Sequence, residues 1–240
     1  MVVTRWLATA AVALGTLGAL LLRAPAELPP RTVAEVTQPV LPRIAEKWAP
    51  PARAAGITWP PARLQLLAFK QERSLEVWVA GQRTPYLRLT TYPVLAASGE
   101  HGPKRREGDR QVPEGFYRLP DLNPNSAFFL SIKVDYPNQT DREHSKLPLA
   151  EMGGDIFVHG RAVSRGCLAI GDDAIEELFA LASLVPPAER RILIAPVDFR
   201  AGAPAPRSEE RWVRDLYAKM KLTLDEYPQS GSLQQRTPVE

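Results

Sequence analysis

The chain has 240 residues, of which 45% are hydrophobic and 24% are charged, and its net charge is +3. This length suits one sizeable domain with a targeting segment and tails, and this composition excludes global disorder. The single cysteine, Cys167, excludes an intramolecular disulfide. The small positive excess fits work beside an anionic wall or membrane but identifies no partner.

The N-terminus carries a long apolar run. Residues 6–22 contain no charge and are bounded by Arg5 and Arg23. The run is longer than the usual apolar core of a cleavable signal, about 7–15 residues, and approaches the roughly 17–25 residues that span a bilayer. Residues 24–26, Ala-Pro-Ala, are typical of a signal cleavage site. We therefore expect residues 1–26 to be a signal peptide or a membrane anchor and the rest to lie outside the cytoplasm.

Residues 27–62 are rich in proline, which breaks helices and removes amide donors. This composition predicts a spacer with one short helix near residues 41–49. We expect the folded domain to begin at residue 63, and the membrane to be contacted only through the N-terminal segment.

Apolar, β-branched and aromatic residues separated by polar turns predict a β-rich domain after residue 63. Two amphipathic patterns predict helices, and Asp173 with Glu176 predicts a capping box at the start of the first. The expected strands are 64–69, 75–79, 86–95, 128–136, 154–159 and 191–197, and the expected helices are 174–183 and 208–224.

Residues 98–115 combine glycines and prolines with charges of both signs. The basic run Lys104-Arg105-Arg106 is a candidate contact for nucleic acid, but acidic residues are interleaved and no aromatic platform follows. We therefore expect a solvated loop and no nucleic-acid partner.

The segment around Cys167 carries the chemistry. His159 ends a predicted strand, and the turn that follows can bring it beside Cys167. A free thiol has a pKa of about 8.5 and is mostly protonated at neutral pH. Because an adjacent imidazole can take the thiol proton, we expect His159 to lower the pKa of Cys167. Gly166 would let the backbone N–H groups of residues 166 and 167 hold an oxyanion.

The neighbouring residues complete this candidate site. Ser164 would hydrogen-bond the turn, and the Gly160 carbonyl is a candidate to orient His159, since no nearby acidic residue can be assigned. A metal site is a poorer interpretation, because one cysteine, three histidines and no CxxC or HExxH spacing are present.

The pattern His159-Gly160 with Ser164-x-Gly166-Cys167 resembles the signature of the L,D-transpeptidase (YkuD) catalytic domain. Further segments within residues 64–197 resemble the Gram-negative murein L,D-transpeptidase subset. These are Tyr92-Pro93, Ser98-Gly99, Gly102-Pro103-Lys104, Gly108-Asp109, Pro113-Glu114-Gly115-Phe116-Tyr117, Asn123-Pro124-Asn125-Ser126 and Tyr136-Pro137-Asn138.

This resemblance implies an α+β, β-rich, sandwich-like catalytic domain at residues 63–200 with peripheral helices, followed at 201–240 by a helix and a polar tail. It implies no cofactor, a peptidoglycan stem peptide as substrate, Cys167 as nucleophile and His159 as base. Together with the N-terminal segment, it implies a location in the periplasm or cell envelope. The implied cut lies after the L-centre of diaminopimelate in a tetrapeptide stem and releases D-Ala.

One departure from the family pattern is Arg165, which stands where many members have a second histidine. Arg165 is therefore a candidate substrate contact rather than a second base. Tyr92, Lys104 and Tyr117 are further candidates, although Tyr117 has packing as its alternative role.

Three functions stay open. A transferase would pass the acyl group to an amine, cross-linking stems or modifying the wall. A hydrolase of the same fold would use water and release wall-bound lipoprotein or cut cross-links. An inactive wall-binding module is disfavoured, because His159, Gly166 and Cys167 are all present.

Overall fold

The computed structural model describes residues 29–228. The predicted signal or anchor at residues 1–26 and the last part of the polar tail lie outside the described residues. None of the helices within residues 29–228 combines the length and apolar character that crossing a membrane requires.

Two helices precede six consecutive strands, and helices and strands are mixed in the second half of the chain. Helices α1 (Val33–Thr37) and α2 (Leu41–Ala54) precede strands β1 (Arg63–Phe69), β2 (Ser74–Ala80), β3 (Leu87–Pro93), β4 (Gly115–Arg118), β5 (Leu122–Asn123) and β6 (Ser131–Lys133). They are followed by α3 (Gln139–Glu143), α4 (Leu149–Met152), β7 (Phe157–His159), β8 (Leu168–Ala169), α5 (Asp172–Ser183), β9 (Arg190–Ala195) and α6 (Arg211–Leu224).

The larger sheet has the strand order β3-β2-β1-β9-β4, with β1 and β9 parallel and the other pairs antiparallel. Both faces of β1 are buried. Leu64 and Leu66 point into the main core, whereas Leu67 and Phe69 point to a second cluster that includes Met220 of α6. This two-sided burial explains why residues 66–69 of β1 are all apolar instead of alternating with polar residues.

The smaller sheet has the order β5-β6-β7-β8, with β7 and β8 parallel. Its buried residues Ile132, Val158 and Leu168 share the main core with Leu66 of the larger sheet and Phe179 of α5. Two sheets that share one core, with helices around them, confirm the expected α+β class. The core also fixes β7 and β8, which carry the candidate site.

The predicted strands and helices of the domain are largely confirmed, although their bounds differ and the sequence analysis did not predict β4, β5, β8, α3 or α4. The strand expected at residues 154–159 is limited to β7. The strand expected at residues 128–136 is limited to β6. The capping box of Asp173 and Glu176 is wrong: the N-cap of α5 is Gly171, with φ 85°, and no side chain caps the helix. Instead, Asp172 accepts a hydrogen bond from the backbone N–H of Arg161 at 2.7 Å.

The structure differs from the prediction of a spacer at residues 27–62. The compact unit begins at Arg31, and α2 buries Ile44, Trp48 and Ala52 in the main core. These side chains recur every four residues, which places them on one face of a helix. The spacer was predicted from the proline content of the segment, whereas this four-residue spacing of apolar side chains is typical of a packed helix.

Candidate active site

The parallel pairing of β7 with β8 brings His159 and Cys167 to one face of the smaller sheet. Val158 lies opposite Leu168, and His159 lies opposite Ala169. Continuing this register by one residue sets Cys167 opposite Phe157. Because alternate residues of a strand share a face, this register predicts that Cys167 and His159 project from the same side of the smaller sheet.

His159 is oriented by the residue that follows it. The Nδ1 atom of His159 lies 2.6 Å from the carbonyl oxygen of Gly160. Because a carbonyl only accepts, Nδ1 carries the proton in this hydrogen bond and Nε2 keeps a lone pair. Burial lowers the pKa of His159, against the opposing effect of the Gly160 carbonyl. The ring is therefore held neutral, in the tautomer that a base at Nε2 requires.

Gly160 sits where no larger residue fits. A Cβ atom there would lie 2.6 Å from Oδ1 of Asp172 and 2.7 Å from the carbonyl oxygen of Phe128. Its own N–H donates to the carbonyl oxygen of Leu130 at 3.2 Å. This close approach of neighbouring chain segments fixes the carbonyl that faces His159.

Cys167 is half-buried and holds a protonated thiol. Burial raises the pKa of Cys167, and the positive charge of Lys133 acts in the opposite direction without reversing the shift. The Sγ atom lies 3.4 Å from the carbonyl oxygen of Asp155, and none of the hydrogen bonds among residues 29–228 joins it to His159. The expected lowering of the thiol pKa is therefore wrong in direction. Desolvation disfavours the thiolate, as it disfavours the imidazolium.

The turn before Cys167 is held by two serine hydroxyls. The N–H of Gly166, a residue with φ 104°, donates to Oγ of Ser98 at 2.7 Å. The N–H of Cys167 donates to Oγ of Ser164 at 2.9 Å, and that hydroxyl donates to the Cys167 carbonyl oxygen at 2.6 Å. Both backbone N–H groups that we expected to be free for an oxyanion are thus occupied in this structure.

Ser98 is a contact that our sequence analysis did not assign. Its loop packs directly against the turn, since a Cβ atom on Gly166 would lie 3.3 Å from the carbonyl oxygen of Gln111. The same loop reaches α4, where the N–H of Glu107 donates to the carbonyl oxygen of Glu151 at 2.8 Å. Residues 98–112 therefore form one wall of the site rather than a detached solvated loop.

Two candidate substrate-binding residues, Tyr117 and Tyr92, form hydrogen bonds with other parts of the protein. Tyr117 is 4% exposed, and its hydroxyl donates to Oδ1 of Asp141 at 3.1 Å. The hydroxyl of Tyr92 donates to Oε2 of Glu177 on α5 at 2.6 Å. Tyr117 has almost no surface for a ligand, and the hydroxyl of Tyr92 is already hydrogen-bonded to a residue of α5.

The other two candidates are cations. Lys104 is 8% exposed and forms an ion pair with Asp109 at 2.5 Å. Its charge nevertheless acts on the Cys167 thiol and favours the thiolate. Arg165 is exposed beside Gly166. The carboxylate of Asp155 acts on the thiol in the opposite direction. The cations near the cysteine outnumber it, which suits a substrate that carries carboxylates.

The family model of the L,D-transpeptidase catalytic domain, YkuD, matches residues 65–197 of this chain. A protein of Escherichia coli (strain K12) named "Putative L,D-transpeptidase YafK" is 38% identical over 114 residues, which cover 46% of this chain and 44% of that protein. The protein of the same name from Escherichia coli O157:H7 gives the same values. The chain thus spans somewhat less than half the length of these curated relatives.

Solved structures also resemble this chain. The helical cell shape determining protein Pgp2 from Campylobacter jejuni has a TM-score of 0.46 and 20% identity, covering 58% of this chain and 50% of that chain. Bd1075 from Bdellovibrio bacteriovorus has a TM-score of 0.42 and 23% identity, covering 70% of this chain and 58% of that chain.

Proposed function

Because the chain belongs to the L,D-transpeptidase catalytic domain (YkuD) family, we propose that it is a cysteine acyl transferase that acts on peptidoglycan stem peptides. The observation that supports this proposal is that β7 ends at His159 and pairs in parallel with β8, which follows Cys167 directly, while Nδ1 of His159 lies 2.6 Å from the carbonyl oxygen of Gly160. This leaves Nε2 as the base for the thiol.

The first half-reaction begins from a neutral pair. As Sγ of Cys167 attacks the carbonyl carbon of the stem peptide, Nε2 of His159 takes the thiol proton. A C–S bond forms, and the carbonyl electron pair moves onto oxygen. Because burial disfavours both charged forms, proton transfer accompanies attack instead of preceding it.

Collapse of the tetrahedral intermediate gives the acyl-enzyme. The carbonyl re-forms, the C–N bond breaks, and the departing amine takes the proton from His159. For a tetrapeptide stem, the amine is D-Ala and the thioester joins Cys167 to the L-centre of diaminopimelate. In the second half-reaction an acceptor amine loses its proton to His159 as it attacks the thioester, and the thiol is restored.

The charges around the site support an anionic substrate. Lys133 and Lys104 both favour the Cys167 thiolate, whereas the carboxylate of Asp155 disfavours it. Arg165 is a further cation, exposed next to the turn. A stem peptide carries carboxylates that these cations would attract. We place this activity in the cell envelope, where such a substrate occurs.

Mass spectrometry of muropeptides incubated with the purified protein tests the proposal. With a tetrapeptide muropeptide and excess of a D-amino acid, we expect an exchange product or a cross-linked dimer, and we expect Cys167→Ala to form neither. Tripeptide without exchange would identify a hydrolase. Equal products with Cys167→Ala, or binding without any product, would contradict the proposed chemistry.

A further inference from the structure

Ser98 holds an uncommitted proton beside the nucleophile. Its Oγ accepts the N–H of Gly166 at 2.7 Å, and no acceptor among residues 29–228 takes its own O–H. Resting on the proposed acyl transfer, we propose that the Ser98 hydroxyl is a catalytic residue that donates a hydrogen bond to the oxyanion of the tetrahedral intermediate.

The other donors at the turn are committed. The Cys167 N–H is directed to Oγ of Ser164, and the only hydroxyl proton of Ser164 is directed to the Cys167 carbonyl oxygen. The Gly166 N–H is directed to Ser98. An oxyanion could recruit these groups only by breaking a hydrogen bond within the protein, whereas Ser98 can donate without breaking one.

The hydrogen bond from Gly166 also prepares Ser98 for this role. A hydroxyl that accepts an N–H becomes a stronger donor, because hydrogen bonds in a chain polarise one another. The Gly166 N–H thus polarises the Ser98 O–H and strengthens its hydrogen bond to the oxyanion. The backbone of Gly166, at φ 104°, directs the N–H in a conformation that favours glycine.

The position of Ser98 is fixed from the other side of the loop. Its carbonyl oxygen accepts the N–H of Val112 at 3.3 Å. The carbonyl oxygen of Val112 in turn accepts from Nζ of Lys70 at 3.2 Å. Donors held in place before the reaction cost no reorganisation when charge develops, which is the condition for strong oxyanion stabilisation.

The role involves no proton transfer to the substrate oxygen. When Sγ of Cys167 bonds to the carbonyl carbon, the π electron pair moves to oxygen and the Ser98 O–H hydrogen-bonds to it. When the C–N bond breaks, the pair re-forms the carbonyl, and the amine leaves with the proton from His159. Ser98 keeps its proton throughout.

Two reactions of Cys167 separate this role from a structural one. Release of D-Ala from a tetrapeptide muropeptide passes through an oxyanion, whereas alkylation by iodoacetamide displaces iodide from a saturated carbon and forms none. For Ser98→Ala in the full chain, we expect kcat/KM for release to fall about 10²–10³-fold. The alkylation rate and its pH midpoint should stay at wild-type values. Ser98→Thr, which keeps a hydroxyl, should recover most of the loss, and Ser183→Ala on α5 is the matched control.

Each other outcome overturns the inference. If Ser98→Ala keeps or exceeds wild-type kcat/KM, the freed Gly166 N–H is the donor. If alkylation of Ser98→Ala slows in parallel with D-Ala release, the hydroxyl does not act on the oxyanion. The same conclusion follows if Ser98→Thr is alkylated at the wild-type rate but fails to recover D-Ala release. If Cys167 of the wild-type protein is alkylated but the protein releases no D-Ala, the proposed function itself is contradicted. This result is distinct from loss of the Ser98 role alone.

Discussion

The ring of Phe128 lies over the ring of His159, with 4.5 Å between the ring centroids and 36° between their planes. Phe128 is 41% exposed, whereas His159 is 1% exposed. One partly exposed aromatic side chain thus covers a buried imidazole. Since burial is the main cause of the lowered His159 pKa, Phe128 helps to keep the base neutral.

Replacing Phe128 by alanine should raise the pKa of His159 toward its ordinary value of about 6.5. Activity needs the neutral imidazole, so activity is present above the pKa of His159 and lost below it. The acid limb of kcat/KM against pH should therefore move to higher pH, with a larger loss at pH 6 than at pH 8. Leu222→Ala, which truncates a side chain that is 71% exposed on α6, is the control. An unmoved acid limb would show that Phe128 does not set the His159 pKa.

The pH dependence of alkylation should reveal a protonated thiol at rest. Because burial raises the pKa of Cys167, the midpoint for reaction with iodoacetamide should lie at or above the ordinary thiol value of about 8.5. His159→Ala should leave this midpoint nearly unchanged, while Lys133→Met should move it upward by removing a favourable charge. A midpoint well below 8.5 that rises on loss of His159 would instead indicate a preformed ion pair.

The sequence was sufficient to predict that the segments of His159 and Cys167 lie side by side, because their pairing is local: β7 ends at His159, and its parallel partner β8 begins directly after Cys167. Ser98 meets the same turn from a loop 68 positions away along the chain, and neither propensity nor periodicity encodes that distance. The Ser98-Gly99 pair stood among the family-like segments, which was the available signal. The raised pKa of the Cys167 thiol could not be predicted from the sequence either, because it depends on burial by residues that fold around the turn.

A buried ion pair anchors the loop that carries Ser98. Nζ of Lys70 lies 2.8 Å from Oε1 of Glu114, and their side chains are 7% and 0% exposed. The second oxygen of Glu114 accepts from the Tyr217 hydroxyl at 2.7 Å, which ties the loop to α6. Oε1 also accepts from the N–H of Gly102 at 2.8 Å.

Glu114→Gln should therefore be strongly destabilising, since it leaves the Lys70 charge buried and uncompensated. We expect a loss of about 3–5 kcal/mol in the free energy of unfolding, measured by urea denaturation. Asp215→Asn is the control, because its pair with Arg211 at 3.6 Å is exposed and should contribute less than about 1 kcal/mol. Similar losses in the two variants would show that the buried pair does not hold the loop.

The last prediction concerns where the folded domain begins. Deleting residues 1–30 should leave a folded protein, because the compact unit starts at Arg31, whereas deleting residues 1–62 should not. The second deletion removes Ile44 and Trp48, which are 0% and 2% exposed in the core. It also removes the ion pair of Lys47 with Glu177 at 2.9 Å, which links α2 to α5.

A single substitution tests the same point without truncation. Ile44→Ala empties space in the core beside α5 and should cost about 2–5 kcal/mol in the free energy of unfolding. Glu46→Ala on the exposed face of the same helix should change it by less than about 0.5 kcal/mol. Because both variants leave helix propensity high, a difference between them isolates packing of α2 against the core. Equal stabilities, together with a stable product of the longer deletion, would restore residues 27–62 to the role of a spacer.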